Sequence, residues 1–469
     1  MKLPNLDEAK IRSEKQVQYI YNKQKKTNTL KSTKYFLRTY GCQMNVHDSE
    51  EIKARLESMG SEETNNFNES DIIVLNTCAI RENAHDKVFG FLGRCKHLKK
   101  SNPNLIICIC GCMAQEENVC EEITKKHPYV DLVFGTHNIN ELSELLEKKE
   151  IKNQINVYSI EGDVYENLSY KRDSNIKAWV NIMYGCNNFC TYCIVPYTRG
   201  KQRSRKHEDI ILEIEKLVED GYQEVTLLGQ NVNSYGIDLE SEITFAELLK
   251  LVSKTNIPRI RFVTSNPWDF SDETINVIKT FKNVMPHVHL PIQSGSSKVL
   301  KLMGRKYTKE SYLILFNKIK EIPNISITTD IIVGFPNETE EEFLETLDIA
   351  DTCKFDGAFT FIYSPREGTP AAKIQDLIPL AEKEVRLQRL NQIINKYAKA
   401  NNVKYLNNTL SVLVEDVSEK NPNNLFGYTD TMKLVNFPGD KELIGKIINV
   451  KITDAKSFSL NGILEETKN

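Results

Sequence analysis

Short apolar runs that alternate with helical patterns constrain the fold of this chain more than any other feature of its sequence. Between residues 35 and 150 the runs are nearly continuous, as expected for buried parallel strands. The predicted strands are Tyr35–Tyr40, Asp71–Asn76, Leu105–Cys110 and Val130–Phe134. A helix that begins at Asp48 or Ser49 and ends at Met59 is predicted after the first strand. Because strands separated by helices form parallel sheets, the pattern predicts an N-terminal parallel α/β sheet domain over residues 34–151.

The alternation pauses over residues 151–175, a polar and irregular segment that we predict to be a linker, and it restarts at Ile176. Six further strands are predicted at Ala178–Met183, Glu224–Leu228, Arg259–Thr264, Val288–Pro291, Ile327–Val333 and Ala358–Tyr363. Six β/α units predict a partial (β/α)6 TIM-like barrel over residues 172–402, ending in a helix at about Leu380–Asn401. From Tyr405 onward, short Val, Ile and Leu runs between turn residues predict a small antiparallel β-barrel over residues 405–468. The expected fold class is therefore α/β with three domains.

Chain length, apolar stretches and cysteine count limit the classes of protein to which the chain can belong. A chain of 469 residues is too long for one ordinary core, which agrees with several domains. The longest apolar stretch, around Leu105–Met113, is too short to cross a bilayer, and the Lys-containing N-terminus lacks the apolar segment of a secretory signal. We therefore expect a cytoplasmic location and no membrane contact. Eleven Cys, an odd number, argue against a disulfide framework and favour metal binding by those that are grouped.

The chain has a net charge of −3, but two of its segments are locally basic. Residues 1–34 hold nine Lys or Arg and three Asp or Glu, so residues 1–33 are predicted to be a basic, solvated N-terminal extension. The second segment has no acid among residues 195–207 and contains Arg199, Lys201, Arg203, Arg205 and Lys206. Clustered positive charge is typical of phosphate contacts, so we predict that this second segment binds nucleic acid.

Three cysteines, Cys186, Cys190 and Cys193, form a C-x3-C-x2-C run. A [4Fe–4S] cluster usually takes four Cys, so three local thiolates would leave one iron with an open coordination position. The alternative is a zinc knuckle, but the nearest candidate for its fourth ligand, His207, lies in the basic segment. The run therefore predicts a reactive iron–sulfur cluster.

A second triad, Cys42, Cys78 and Cys112, is dispersed, but each member follows the end of a predicted parallel strand. The members are 36 and 34 residues apart, about one βαβ unit in each case. Ligand sites in parallel sheets gather at the carboxyl edge of the strands, so these thiols are predicted to converge on a second cluster. The other cysteines lie inside predicted strands or helices and are interpreted as core residues: Cys95, Cys108, Cys110, Cys120 and Cys353.

The segment Gly185-Cys-Asn-Asn-Phe-Cys-Thr-Tyr-Cys resembles the signature of radical S-adenosylmethionine (SAM) enzymes. The resemblance implies that SAM chelates the open iron and that Tyr192 lies against its adenine. It also implies that a low-potential electron donor drives cleavage of SAM to methionine and a 5′-deoxyadenosyl radical. Residues after later strands are predicted to contact SAM or line its site: Gly229, Gln230, Asn231, Ser294 and Gly334.

Further motifs resemble the radical SAM methylthiotransferase family, and within it the MiaB-type branch. They are Thr39-Tyr-Gly-Cys-Gln-Met-Asn, Asn76-Thr-Cys-Ala-Ile-Arg-Glu, Gly111-Cys-Met-Ala-Gln, Leu290-Pro-Ile-Gln-Ser-Gly-Ser, Met303-Gly-Arg-Lys-Tyr and Asp330-Ile-Ile-Val-Gly-Phe-Pro. The segment with Gly427-Tyr-Thr and Ala455-Lys-Ser-Phe-Ser-Leu-Asn-Gly resembles an RNA-binding TRAM domain, in which Lys433 or Lys456 is predicted to touch RNA.

This resemblance implies an enzyme with two [4Fe–4S] clusters and SAM as cofactors, and we expect it to be a monomer. Its substrate would be the anticodon stem-loop of tRNA, in which carbon-2 of isopentenyl-adenosine next to the anticodon becomes methylthiolated. The sulfur would come from the cluster of Cys42, Cys78 and Cys112, and another SAM would supply the methyl group. Two alternatives stay open at this point. One is a sister methylthiotransferase for threonylcarbamoyl-adenosine in tRNA or for an aspartate of a ribosomal protein. The other is a non-catalytic iron–sulfur protein that binds RNA.

Overall fold

The N-terminal part of the protein is built on a six-stranded parallel sheet. The computed structural model describes residues 3–10, 17–22, 26–79, 82–148, 151–241 and 243–465. In chain order the elements are α1 (Leu6–Lys10), β1 (Tyr19–Tyr21), β2 (Lys34–Thr39), α2 (Gln43–Ser58), β3 (Glu62–Glu63), β4 (Ile72–Thr77), α3 (Glu82–Ser101), β5 (Ile106–Gly111), α4 (Glu117–Lys126), β6 (Leu132–Phe134), α5 (Leu142–Leu146), β7 (Gln154–Asn156) and β8 (Val164–Glu166). The sheet order is β3-β2-β4-β5-β6-β7, with every neighbouring pair parallel. The four predicted strands are confirmed, and apolar side chains cover both faces.

Two predictions in this region were wrong in detail. Helix α2 begins at Gln43, not at Asp48 or Ser49, and its N-cap is Cys42. Asp48 and Ser49 are buried inside the helix, where their polar groups bond to other elements rather than cap an end. The segment 151–175 is not simply irregular, because β7 extends the sheet to Asn156 and β8 pairs in parallel with β1. Both strands are short and contain polar residues, so no apolar run marks them in the sequence.

The predicted basic extension is partly structured. Strand β1 pairs with β8, and Ala9 in α1 is buried against Cys112, Ile194 and Tyr197. Residues 1–2, 11–16 and 23–25 of the extension lie outside the described residues. The interpretation of this whole segment as a solvated tail was therefore wrong for Ala9, which is buried, and for β1, which pairs with β8.

The central part contains six parallel strands in sequence order, as predicted. Its elements are β9 (Lys177–Asn181), β10 (Met183–Tyr184), α6 (Val195–Thr198), β11 (Arg203–Ser204), α7 (His207–Glu219), β12 (Glu224–Leu228), α8 (Phe245–Val252), β13 (Arg259–Phe262), α9 (Asp272–Thr280), β14 (His287–His289), α10 (Ser297–Leu302), α11 (Lys309–Lys320), β15 (Ser326–Val333), α12 (Glu340–Cys353), β16 (Gly357–Ile362) and α13 (Leu380–Val403). Strands β9, β12 and β13 form one sheet and β14, β15 and β16 form another. A parallel bridge between Ile260 and Val284 joins the two sheets into one curved, partial barrel.

The two faces of this partial barrel have opposite character. Ala178, Val180, Val225, Leu227 and Ile260 point outward into a large core with the surrounding helices. The alternate positions on the strands therefore point inward, and there the residues are polar or aromatic, such as Trp179, Thr226, Arg261, His287 and Phe359. Bulky branched residues fill the interior of a closed TIM barrel, whereas this lining suits a cavity.

The C-terminal part is a closed five-stranded barrel. Its strands are β17 (Thr409–Val417), β18 (Asn424–Thr429), β19 (Leu434–Pro438), β20 (Ile447–Ala455) and β21 (Leu460–Leu464). They follow the order β17-β18-β19-β21-β20, and every pair is antiparallel except β19 with β21. The predicted small β-barrel is confirmed, with this one parallel pair as the difference. Within the described residues no helix is both long and apolar enough to cross a membrane.

Two buried arginines fasten this barrel to the first residues of the central strands. Arg259 donates to the carbonyl of Tyr428 at 2.8 Å and pairs with Asp430 at 2.7 Å. Arg261 donates to the carbonyls of Thr429 at 2.8 Å and of Asp430 at 3.0 Å, while its Nε binds Glu224. The β18–β19 turn is therefore seated on the N-terminal end of the central barrel. Lys433 is buried in an ion pair with Asp356, so its prediction as an RNA contact was wrong.

The basic segment 199–206 is not a surface patch, which corrects the prediction of phosphate contacts. Arg199, Arg203 and Arg205 are buried, and of the five basic side chains only Lys206 is exposed. Arg199 pairs with Asp48 of α2 at 2.7 Å, and Arg205 pairs with Glu166 of β8 at 2.6 Å and with Glu213 of α7 at 2.7 Å. Their charges hold the N-terminal sheet, β8 and the central barrel together.

Removal of the Arg205 guanidinium is expected to destabilise the protein strongly. Arg205 is 4% exposed and makes its bonds to Glu166, which is 2% exposed, so Arg205→Met leaves a buried carboxylate without its partner. Breaking a buried pair from one side costs about 3–5 kcal/mol. The matched control Lys206→Met removes an exposed neighbour and should change stability by less than about 0.5 kcal/mol. The measurement is the urea midpoint followed by circular dichroism; equal midpoints for the two variants would contradict this account.

Candidate functional site

Cys186, Cys190 and Cys193 lie in a loop that follows β9 and the short strand β10, at the carboxyl end of the first barrel strand. Gly185 has φ +68°, and a Cβ there would lie 2.0 Å from the carbonyl oxygen of Lys201, so only glycine permits this turn. Burial, together with the neighbouring Cys190 and Cys186, raises the pKa of the Cys193 thiol to about 12. The loop therefore brings the three sulfurs within electrostatic reach of one another, as the C-x3-C-x2-C spacing predicts.

Tyr192 is held by a residue to which the sequence analysis assigned no role. Arg305 donates from Nη2 to the Tyr192 hydroxyl at 2.7 Å, and its guanidinium lies 5.6 Å from the ring centre of Trp268. Burial raises the pKa of the Tyr192 hydroxyl well above its ordinary value, so the phenol is neutral and accepts this bond. Arg305 belongs to the Met303-Gly-Arg-Lys-Tyr motif, which was the only sequence signal that could have indicated it.

The other residues predicted to contact SAM occupy turns after later strands. Asn231 is buried and donates to Asp269 at 2.6 Å, beside Gly229 and Gln230 at the end of β12. Ser294 is fully buried and lies 3.3 Å from the Thr346 hydroxyl, and Gly334 donates its N–H to Glu338 at 2.8 Å. These bonds give Ser294 and Gly334 structural roles in their turns. Contact of all five with SAM stays a prediction.

Cys42, Cys78 and Cys112 come together at the carboxyl edge of the N-terminal sheet. Cys42 caps the 16-residue helix α2, Cys78 directly follows β4, and Cys112 directly follows β5. Burial raises the pKa of the Cys112 thiol to about 12; Arg199 acts against this rise, whereas Cys78 and Cys42 add to it.

Two asparagines and one glycine hold this second triad. Asn45 donates to the Asn76 side chain and to the carbonyl of Thr77, both at 3.0 Å, and Asn76 donates back to the carbonyl of Asn45 at 2.8 Å. A Cβ on Gly111, which has φ +92°, would lie 2.3 Å from the carbonyl oxygen of Thr77. The loops that carry the three cysteines therefore pack directly on each other. The sequence analysis quoted these residues within motifs but did not identify them as the support of the site.

A partly open cavity lies between the N-terminal domain, the central barrel and the C-terminal barrel. Gln43, the neighbour of Cys42, lines it from one side, and Met432 of the β18–β19 turn lines it from another. The barrel contributes Lys177, Ala178, Trp179, Glu224, Thr226, Arg261, Phe262, Val263 and His287. The first residues of strand β9 form part of this wall, and Gln43 is the neighbour of Cys42, while the six triad cysteines do not line the cavity themselves.

The donor sets fit iron–sulfur clusters. None of the six cysteines, three in each set, is in a disulfide, and thiolates are the usual ligands of such clusters. In the part of the chain that the structure describes, no three His, Cys, Asp or Glu side chains are arranged to surround a single metal ion. Each thiolate of a cubane binds a different iron, so the sulfurs need a wider spacing than the ligands of one ion. Their role as cluster ligands stays a prediction.

Models of three families match the chain, in the order in which the folded parts occur. The model described as uncharacterized protein family UPF0004 matches residues 34–135, that of the radical SAM superfamily matches residues 180–350, and that of the TRAM domain matches residues 403–464. The fold and the two cysteine triads therefore define a radical SAM protein with an N-terminal α/β domain and a C-terminal TRAM barrel.

Curated relatives identify the family within this class. The tRNA-2-methylthio-N(6)-dimethylallyladenosine synthases of Staphylococcus epidermidis and Staphylococcus aureus are each 54% identical to the chain over 466 residues, covering 98% of the chain and 91% of the relative. The chain belongs to the family of tRNA-2-methylthio-N(6)-dimethylallyladenosine synthases, and the resemblance to MiaB-type methylthiotransferases is confirmed.

Solved structures resemble the fold at low sequence identity. The radical SAM methyltransferase TsrM from Kitasatospora setae, with cobalamin and a [4Fe–4S] cluster bound, has a TM-score of 0.51 and 13% identity over 73% of this chain and 77% of its own. The cobalamin-dependent radical SAM enzyme OxsB has a TM-score of 0.50 and 14% identity over 78% of this chain and 56% of its own. Both similarities extend beyond the central barrel alone.

Proposed function

We propose that this protein methylthiolates carbon-2 of dimethylallyl-adenosine (isopentenyl-adenosine) next to the anticodon of tRNA, using SAM and two [4Fe–4S] clusters. The observation that carries the proposal is that two cysteine triads on different domains lie close together: Cys112 packs in one buried apolar cluster with Ile194, the residue after Cys193. One triad follows the first barrel strand and the other ends three strands of a separate sheet. An enzyme that must both generate a radical and insert sulfur needs two such sites beside one substrate.

We assign the two clusters to the two triads. Cys186, Cys190 and Cys193 would hold the cluster that binds SAM, and Cys42, Cys78 and Cys112 would hold the second. Each set offers three thiolates to a cluster of four irons, so one iron in each stays open for another ligand. When bound, the first cluster supplies the electron that cleaves SAM, and the second supplies an iron that can carry sulfur.

The residues around the triads support this division of roles. Arg305 fixes the Tyr192 ring beside Cys190 and Cys193, in a position to pack against a planar ligand such as adenine. Asp48 and Arg199 form a buried pair that joins the loop after the radical SAM cysteines to α2, the helix capped by Cys42. The pair thus sets the distance between the domains that carry the triads. A misplacement of about 1 Å is enough to slow a reaction about 100-fold.

The substrate side of the proposal involves RNA and an electron donor. A base of the anticodon loop has to be unstacked and held in a pocket for chemistry at carbon-2. We propose that the base enters through the partly open cavity between the three domains, of which the TRAM barrel forms part of the wall. We also propose that a low-potential donor reduces the protein, which acts as a monomer.

Nucleoside mass spectrometry of tRNA tests the function. Cells that lack the protein should contain dimethylallyl-adenosine without its 2-methylthio derivative, and the chain expressed from a plasmid should restore the derivative. If the deletion instead removes a methylthio derivative of threonylcarbamoyl-adenosine, the sister activity is correct. If no methylthio nucleoside changes, the protein is not a tRNA methylthiotransferase in those cells.

A further inference from the structure

An apolar side chain in an unusual backbone conformation lines the three-domain cavity at the N-terminal end of the central barrel. Met432, in the β18–β19 turn of the TRAM barrel, has φ +62°. Left-handed backbone at a residue other than Gly, Asn or Asp is uncommon, and strain of this kind persists only where surrounding structure imposes it. Met432 is nevertheless 39% exposed, and the space it faces is the cavity.

The turn that carries Met432 is rigid. The N–H of Met432 donates to the carbonyl of Thr429 at 3.0 Å, and the N–H of Lys433 donates to the Thr429 hydroxyl at 3.0 Å. Arg259 and Arg261 clamp the carbonyls of residues 428–430 from the barrel side. The side chain is therefore presented to the cavity in one fixed place, without any need for the turn to order when a ligand enters.

The charged groups around Met432 are already neutralised. Arg261 binds Glu224, Lys177 binds Glu415 of the TRAM barrel, and Lys433 binds Asp356. The thioether of Met432 and the ring of Trp179 thus remain as apolar surfaces in the cavity wall. On the inner side of the neighbouring sheet, Phe359 and Phe361 of β16 are 63% and 48% exposed. Apolar side chains exposed within a lumen are typical of ligand sites.

We infer that Met432, with Trp179, forms the seat for the apolar dimethylallyl group of the substrate adenosine. The inference rests on the proposed function and adds that the TRAM barrel helps to select the modified base. Carbon-2 and the N6 substituent project from different sides of the adenine ring. When carbon-2 faces the cysteine loops, the N6 substituent can extend toward Met432 and Trp179. A flexible, polarizable Met suits a branched alkenyl group there.

Binding of two anticodon stem-loop RNAs tests the seat without requiring turnover. The RNAs differ only in the presence of the dimethylallyl group, and the protein carries both clusters. The unaltered protein should bind the dimethylallyl RNA at least about 10-fold more tightly, because burying a few apolar carbons has an effect of this size. Met432→Gln, which keeps the length of the side chain but adds a polar head, should reduce this preference about 10-fold. Its affinity for the unsubstituted RNA should not change.

Two further variants serve as controls for this binding experiment. Met432→Leu should keep most of the preference, because it restores an apolar side chain at the same place. Ile463→Gln changes a half-exposed apolar residue of the same barrel outside the cavity and should leave the ratio of affinities unaltered. The proposal is wrong if Met432→Gln leaves the ratio of the two RNA affinities unchanged, or if the unaltered protein does not prefer the dimethylallyl RNA. If the preference depends on Met432 but no methylthiolated product forms, the proposed function fails while the seat stands.

Discussion

Changing Cys42, Cys78 and Cys112 together to Ala is expected to abolish methylthio transfer to tRNA while SAM is still cleaved to 5′-deoxyadenosine. The reason is location: these cysteines end strands of the N-terminal sheet, whereas the SAM site is predicted at the mouth of the barrel. Changing Cys186, Cys190 and Cys193 to Ala should abolish both products. Mass spectrometry of 5′-deoxyadenosine and of the methylthio nucleoside, in the same anaerobic reactions, separates the two outcomes.

A matched control is available within the chain. Cys95 and Cys353 are buried on helices and belong to neither triad, so their double Ala variant should retain both products at nearly normal levels. Methylthiolated nucleoside from the Cys42, Cys78 and Cys112 variant would show that the sulfur does not come from this triad, and the assigned division of roles would be wrong.

Iron content is the second measurement with a large expected effect. The unaltered protein, reconstituted anaerobically, should hold about eight iron per chain if both clusters are [4Fe–4S]. Either triple Cys→Ala variant should hold about four, because the two triads belong to different domains and bind their clusters independently. The control variant of Cys95 and Cys353 should hold the full amount. Full iron in either triad variant would contradict its assignment as a ligand set.

The placement of the triads also explains why both variants should fold. Cys42 and Cys112 occupy a helix cap and the end of a strand, and the neighbouring loops are tied chiefly by the amide groups of Asn45 and Asn76. Loss of the thiols removes the one long bond from Cys42 to Asn45, at 3.5 Å, and leaves the amide hydrogen bonds intact. Circular dichroism of the variants, compared with the large loss expected for Arg205→Met, distinguishes a missing cluster from a disrupted fold.

Much of the architecture could be predicted from the sequence, because burial imposes a local pattern on each long element. Strands such as β4 and β15 carry runs of apolar residues, and the intervening helices carry a period near 3.6, so their order alone predicts parallel sheets. The position of each cysteine after a strand end was visible in the same way. Short strands that contain polar residues, such as β3, β7 and β8, carry no apolar run and were missed.

Only the tertiary structure decided what the charged segment 199–206 does. The sequence shows five basic residues without an acid nearby, and this local view indicated a phosphate-binding loop. The carboxylates that neutralise two of the arginines, Asp48 and Glu166, come from distant parts of the chain. Pairing over such separations leaves no local pattern, so the segment could be recognised as a buried connection between domains only after folding.

The site likewise combines features that the sequence determines with a cavity that only the tertiary structure creates. Spacing by itself determined two sets of three thiols and the kind of cofactor they suit, because cluster ligation depends on residue type and chain geometry near each cysteine. That Gln43, Trp179 and Met432 border one space was decided by the docking of three domains. The docking depends on buried ion pairs and hydrogen bonds between residues more than 150 positions apart, such as Arg259 with Tyr428 and Arg199 with Asp48, and no periodicity in the sequence records them.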